Sequence, residues 1–227
     1  MLNNRPWFLR KAAASLAALF ALGLAGCGQT VQIPDSTPAA STSQITALPE
    51  DSSFSIHFID VGQADSALVS CDGEYMLIDG GNADDSNLEY TVMQRETDGH
   101  LEYMVGTHAH EDHIGGMDNI IDNFNIENFY MPNAITTTKT FEDVLDSLDR
   151  KKIKFQTPNV NDDFKLNDAT FKVLHIGDNK KDLNDTSVVL RLEYGNTSYL
   201  LMGDATSNVE KDLLNNNINL KSDVLKV

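Results

Sequence analysis

The residues best able to do chemistry lie together in Thr107-His108-Ala109-His110-Glu111-Asp112-His113, followed by Ile114-Gly115-Gly116. Four strong metal-ligand side chains, His108, His110, Asp112 and His113, fall within six positions. Two imidazoles at i and i+2, then a carboxylate and another imidazole, suit first-row divalent ions such as zinc or manganese. On an extended backbone just after a strand, His108 and His110 can converge, because alternate side chains share a side. Asp112 and His113 then turn towards a second position as the chain bends into a helix start at Gly115-Gly116. One loop can thus open two adjacent metal sites. Three of the six histidines packed around an aspartate have little structural use. His57, His100 and His175 read as ordinary core or surface residues, although His175 follows a buried strand and could face the site.

Two further acids sit at strand ends. Asp204, in Gly203-Asp204-Ala205, follows an apolar run and is placed for a ligand, although Gly-Asp after a strand is also common turn chemistry. Asp79 follows Leu77-Ile78 and precedes two glycines. The sequence contains no GxGxxG, Walker loop or GxSxG elbow, so dinucleotide-dehydrogenase, P-loop and serine-hydrolase readings lose their usual support.

The elements that must position these residues begin at Phe54. Phe54, Ile56 and Phe58 alternate with Ser55 and His57, which predicts a half-buried strand ending at Asp60. Ala67 to Val69 and Tyr75 to Ile78 read as strands joined by a turn with Asp72-Gly73 at its centre. Asn87 to Glu96 predicts a helix with Leu88, Val92 and Met93 on its inner side. Leu101 to Thr107 is a strand running into the histidine cluster. Helices follow over Gly116 to Phe124 and Phe141 to Lys151, flanking a short strand near Phe129. Phe171 to Leu174, Ser187 to Leu192 and Ser198 to Met202 read as strands, the last two linked through Gly195-Asn196, and Val209 to Leu214 as a helix. Asp223 to Val227 reads as the opening of a buried strand. Short strands first, then strands mixed with helices, predict a layered α/β domain with mixed or antiparallel sheets.

With these elements in place, the sequence resembles a known family. His108-Ala109-His110-Glu111-Asp112-His113 matches the HxHxDH signature of metallo-β-lactamase-fold hydrolases. Phe58-Ile59-Asp60-Val61-Gly62-Gln63-Ala64-Asp65-Ser66 resembles the DVGQGDS stretch of ComEC-type DNA-internalisation competence proteins, with Ala64 in place of Gly. Leu77-Ile78-Asp79-Gly80-Gly81, Asn184 to Leu190 and Leu200-Leu201-Met202-Gly203-Asp204-Ala205 are similar to that family too, so the resemblance covers residues 54–227. It implies an αββα sandwich and two divalent metal ions, zinc or manganese. It implies His108 and His110 on one ion, Asp112 and His113 on the other, and Asp204 bridging both. Asp79, and with it Asp60, would orient ligand imidazoles. The third histidine that many members supply has no counterpart, its region reading Asn184-Asp185-Thr186-Ser187, as ComEC-like domains also do. Those domains continue past a strand like Asp223-Val224-Leu225-Lys226-Val227 into a Gly-His-His-Gly-Ser segment. The chain stops where that segment should begin, so the domain is expected to be C-terminally truncated and poorly active alone.

The N-terminal end carries a separate signal. Arg5, Arg10 and Lys11 precede the apolar run Ala12 to Leu24, which is too short for a good membrane span and suits a signal peptide over residues 1–26. Leu24-Ala25-Gly26-Cys27 resembles a lipoprotein lipobox, which implies lipidation of Cys27 and an extracytoplasmic, membrane-anchored protein. Residues 27–52 are rich in Ser, Thr and Pro and read as a flexible tether to a domain over 53–227. The composition is globular, with 41% hydrophobic and 22% charged residues among 227. The 17 basic and 34 acidic residues give −17, and loss of the signal peptide with its three positive charges brings this to −20. Such a balance argues against broad nucleic-acid binding, although bound metal would supply a local cation. Two cysteines exclude a disulfide scaffold, and Cys71 reads as a small buried apolar residue.

The expected reaction is hydrolysis by a paired-metal centre, the ions roughly 3.5–4 Å apart acidifying a shared water. Asp112 could hold that water's proton. The family resemblance implies a phosphodiester substrate, either DNA or a small nucleotide. The alternatives are an ester, lactone or lactam hydrolase on the same fold, or a lipid-anchored binding or accessory protein that does not catalyse.

Overall fold

The computed structural model describes residues 52–134, 136–178 and 182–227. The expected signal peptide, Cys27 and the tether up to residue 51 lie outside the described residues. No helix among the described residues is long and apolar enough to cross a membrane.

The first sheet has six strands in the order β1 (Phe54–Phe58), β2 (Ala67–Cys71), β3 (Glu74–Ile78), β4 (His100–Val105), β5 (Asn125–Tyr130) and β6 (Phe155–Gln156). β1, β2 and β3 form an antiparallel meander, and β3 to β6 run parallel. The change of direction follows from the connections. A tight Asp72-Gly73 turn reverses the chain, whereas α1 (Ser86–Glu96), α3 (Met117–Asn123) and α4 (Lys139–Lys151) are crossovers that return it to the same end. The second sheet has the order β11 (Val224–Lys226), β10 (Thr197–Leu201), β9 (Val189–Tyr194), β8 (Ala169–His175) and β7 (Asp163–Leu166). It is antiparallel except for the β10–β11 pair.

Alternation along each strand fixes the layers. Leu77 and Met104 face the helices and join Ile114, Ile120, Phe141 and Leu148 in one core. Met76, Ile78 and Val105 face the other way and meet Phe171, Val173, Leu190 and Leu192 of the second sheet. Outside that sheet, Val209 and Leu213 of α5 (Ser207–Asn215) cover Leu174, Val189 and Leu200. The order helix, sheet, sheet, helix is the expected αββα sandwich. Cys71 is buried and free, as its sequence context predicts.

Three expectations need correction. α1 turns Glu89, Val92 and Met93 inward, while Leu88 is 46% exposed. Residues 89, 92 and 93 share the i, i+3, i+4 stripe, and the helix is rotated so that a carboxyl occupies it. β11 forms, but Val224 and Leu225 are exposed, because an edge strand has a neighbour on one side only. Phe58 is likewise exposed at the edge strand β1. β6 and β7 were not expected. The alternation Asp163-Phe164-Lys165-Leu166 is too short to stand out from loop.

Candidate metal centre

The histidine loop leaves β4 and enters the single-turn helix α2 (Glu111–Ile114), with Gly115 and Gly116 joining it to α3. It is seated against the turn after β3 by direct backbone contact. The Gly80 N–H donates to the His113 carbonyl at 2.6 Å, Gly115 to Gly81 at 2.8 Å and Gly116 to Gly80 at 3.0 Å. A Cβ on Gly115 would lie 2.2 Å from the Ala83 nitrogen, and one on Gly116 2.5 Å from the Gly80 oxygen. The Gly115-Gly116 pair is required because its backbone passes that of the turn after β3 with no room for a Cβ.

Asp79 holds this junction. Its Oδ1 accepts from the Thr107 N–H and its Oδ2 from the Thr107 hydroxyl, both at 2.7 Å, and Oδ2 is also 2.8 Å from His113 Nδ1. Asp79 itself takes a left-handed backbone with φ of 60°, which aspartate tolerates better than most residues. The buried carboxylate therefore fixes both the first residue of the loop and the ring orientation of its last.

His113 is the hub. Its Nε2 faces Asp204 Oδ1 at 3.3 Å while Nδ1 faces Asp79. Burial disfavours a charged ring, but the hydrogen bonds to Asp204 and Asp79 outweigh it and push His113 up to about 10. Reciprocally, the His113 hydrogen bond holds the Asp204 carboxyl below its ordinary value. His108 goes the other way. Burial, with His113 and His110 beside it, pushes it down to about 3, so it is neutral and offers a lone pair. Its Nε2 lies 2.9 Å from His110 Nδ1.

His108, His113 and Asp204 thus present ligand atoms within 4.8 Å of one another. Asp65, Asp79 and His113 form a second such group. His110 adjoins His108 but lies outside both groups, as does the Asp112 side chain. Asp112 sits half-buried in the first turn of α2, and its carbonyl accepts from the Asp65 N–H at 3.0 Å. Of the expected arrangement, His108 adjoins His110 and His113 meets Asp204, the expected bridge. The Asp112 side chain does not join His113, whose ring lies between Asp79 and Asp204. Asp60 stays apart: it is exposed, and its carboxylate accepts from Gly62 N–H in a local turn at 3.4 Å. His175 contacts the Asp185 carbonyl at 3.0 Å, while His57 is exposed.

The donor set fits a divalent ion. Two imidazoles and a carboxylate converge, one imidazole is neutral, and the other is oriented by a carboxylate from behind. One buried oxygen nearby, Ser187 Oγ, has no hydrogen-bond partner among the described residues. Its segment is joined to the loop by the Val188 N–H, which donates to the Thr107 carbonyl at 2.9 Å. A cavity of about 200 Å³ lies behind the cluster, lined by Asp65, Asp79, Thr107 and Lys226 and walled by Ile78, Leu190 and Leu201.

Several residues here escaped sequence reasoning. Asp65 stands inside a motif whose neighbours drew attention to Asp60. Thr107 closes the predicted strand Leu101 to Thr107, and its spacing carries no further signal. Glu89, fully buried, accepts from the Ser66 hydroxyl at 2.6 Å behind the glycine pairs. Lys226 reaches from β11 to the Asp65 carboxylate. Burial pushes that ammonium down to about 8, which still leaves it charged at neutral pH beside Asp65. Helical spacing from Val92 and Met93 was the available signal for Glu89, and the one charge in an apolar strand was the signal for Lys226.

The sandwich and the histidine loop together define a metallohydrolase class, and comparison with known proteins agrees. The chain belongs to the metallo-beta-lactamase superfamily, a family of metal-dependent hydrolases that generally bind divalent ions, with the match running over residues 59–224. It is similar to ComE operon protein 3 of Bacillus subtilis (strain 168), at 25% identity over 191 residues covering 76% of this chain. The chain spans about a quarter of that protein's length. Among solved structures, the metallo-beta-lactamase GOB-18 from Elizabethkingia meningoseptica shares the fold with a TM-score of 0.52 at 18% identity, covering 80% of this chain and 79% of that one. A mutant metallo-beta-lactamase from Cronobacter sakazakii gives 0.52 at 10% identity, covering 76% and 75%.

Proposed function

We propose that this protein is a metal-dependent phosphodiesterase, held outside the cytoplasmic membrane by a lipid on Cys27. The observation that carries the hydrolytic reading is the convergence of His108, which is neutral, with His113 and Asp204 at the strand ends. The preference for a phosphodiester rests on the ComEC-like motifs and on the similarity to ComE operon protein 3. His108, His113 and Asp204 would hold the ion, with His110 and Asp112 of the same loop available to a second, and zinc and manganese both suit such donors. When bound, the ions would acidify a water and neutralise charge developing on a phosphoryl oxygen.

The chain's own residues do the rest. Asp79 keeps a hydrogen on His113 Nδ1 and so presents Nε2 forward. The buried Ser187 hydroxyl, unpartnered among the described residues, would accept from or donate to an ordered water behind the ion. Asp112, in the first turn of α2, would take a proton. The −20 charge of the mature chain favours a small diester over a long polyanion, and DNA remains the second substrate to try.

Hydrolysis of bis-p-nitrophenyl phosphate and of nitrocefin by the full-length protein, with Mn²⁺ or Zn²⁺ added, tests this reading. Turnover of the phosphodiester is expected; turnover of nitrocefin alone would reject it in favour of a lactam hydrolase. Detergent partitioning of the protein, lost in Cys27→Ala, tests the anchor.

A further inference from the structure

Asp65, Asp79 and His113 bring three ligand atoms within 4.8 Å, the signature of a second ion site beside the first. The details of each residue point elsewhere. Both Asp79 oxygens already accept hydrogen bonds, from Thr107 N–H, the Thr107 hydroxyl and His113. His113 Nδ1 is turned to Asp79 as a donor, with no lone pair for an ion. The remaining carboxylate, Asp65 Oδ2, is 3.9 Å from His113 Nδ1 and in contact with the Lys226 ammonium. A cation is therefore already present, and it is part of the chain.

We propose that Lys226 is the built-in cation of this second cluster and, acting through Asp65, a positioning residue for the metal loop. An ion then binds at His108, His113 and Asp204 and not at Asp65.

The connections of Asp65 explain how a strand at the sheet edge can act on the loop. Its N–H donates to the Asp112 carbonyl at 3.0 Å, and its own carbonyl accepts from Gly81 N–H at 2.9 Å. One residue thus ties α2 to the turn that carries Asp79. Lys226 adds the third segment. Its carbonyl accepts from Met202 N–H at 3.0 Å, next to the turn that presents Asp204. All three segments around His113 meet at the Lys226–Asp65 pair. Removing the ammonium alone would leave a half-buried carboxylate facing Asp79, which costs more than removing both charges.

The inference rests on the metal reading of this loop but not on the substrate, so its test needs no turnover. Metal-free full-length protein is titrated calorimetrically with Mn²⁺. Partners behind a ligand typically change metal affinity ~10–100-fold. Lys226→Met should therefore bind the same number of ions as the parent, about tenfold more weakly. Asp65→Asn should also keep the ion count. The double variant should be no weaker than the worse single one, because the two residues act as a pair, and Lys226→Arg should retain most of the affinity. Loss of one ion equivalent in Asp65→Asn would make Asp65 a ligand and overturn the proposal. Parent-like affinity in Lys226→Met, or effects that multiply in the double variant, would overturn it too. Should Lys226→Met fail to fold, recovery of folding in the double variant supports the pair, and no recovery rejects it. A chain that hydrolyses no diester yet shows this titration pattern would lose the proposed substrate and keep the brace.

Discussion

His113 carries a proton that an ion must displace. Its ring is pushed up to about 10 by Asp204 and Asp79 in the metal-free protein, so Nε2 is blocked at neutral pH. Binding at Nε2 releases that proton while Asp79 keeps the one on Nδ1. Metal affinity should therefore rise by about tenfold per pH unit between about pH 6 and pH 8, with close to one proton released per protein from this ring. Calorimetry in buffers of different ionisation enthalpy reads both quantities, and an affinity flat with pH would show that His113 is not a ligand. Glu89 gives a second test at this scale. Burial, opposed by the Ser66 hydrogen bond and reinforced by Asp79 and Asp85, pushes its carboxyl up to about 8. A raised carboxyl pKa means that the folded state binds the proton more tightly than the unfolded one. Its contribution to stability is complete below the unfolded value of 4.5 and is lost as pH rises towards 8, by an amount on the order of a few kcal/mol. Urea unfolding at a series of pH values should show Glu89→Gln with a flatter decline than the parent over this window. Equal slopes would mean that Glu89 is ionised in the fold.

The loop's geometry is set by elements that meet through backbone. Gly115 shows this most sharply, since a Cβ there would lie 2.2 Å from Ala83 nitrogen and 2.6 Å from the Asn82 carbonyl carbon. Neither is the end of a flexible side chain, so relief requires the two turns to separate. Gly115→Ala should lower stability by at least ~1–3 kcal/mol and weaken metal binding through displacement of His113. Denaturant unfolding and metal titration together check it, and a variant with parent stability would contradict the close approach. This junction was only half legible in sequence. The glycine pairs and the strand ends before Asp79 and Asp204 were visible, because apolar runs stop there. The rotation of α1 was not, since Leu88 and Glu89 are adjacent and only tertiary packing decides which turns inward. Nor was the place of Asp65 beside His113 and Lys226, since the loop after β1 and the edge strand β11 are distant in sequence.

At the scale of the whole molecule, the layer order follows from strand alternation, with Leu77 turned to the helices and its neighbours Met76 and Ile78 turned to the second sheet. That much is legible in the sequence, as is the strand-to-histidine junction at the sheet end. The exposed β11 was not, because an apolar run looks the same at an edge as in a core. What the fold accomplishes is to bring three separate strand ends, after β3, β4 and β10, around one imidazole. The decisive measurement is therefore the position of a bound ion. Crystals of the full-length protein grown with Mn²⁺ or Zn²⁺, measured at the absorption edge of that metal, should give an anomalous peak in coordination contact with His108, His113 Nε2 and Asp204, and none at Asp65. A peak at the Asp65 cluster, or none within reach of His113, would contradict the account.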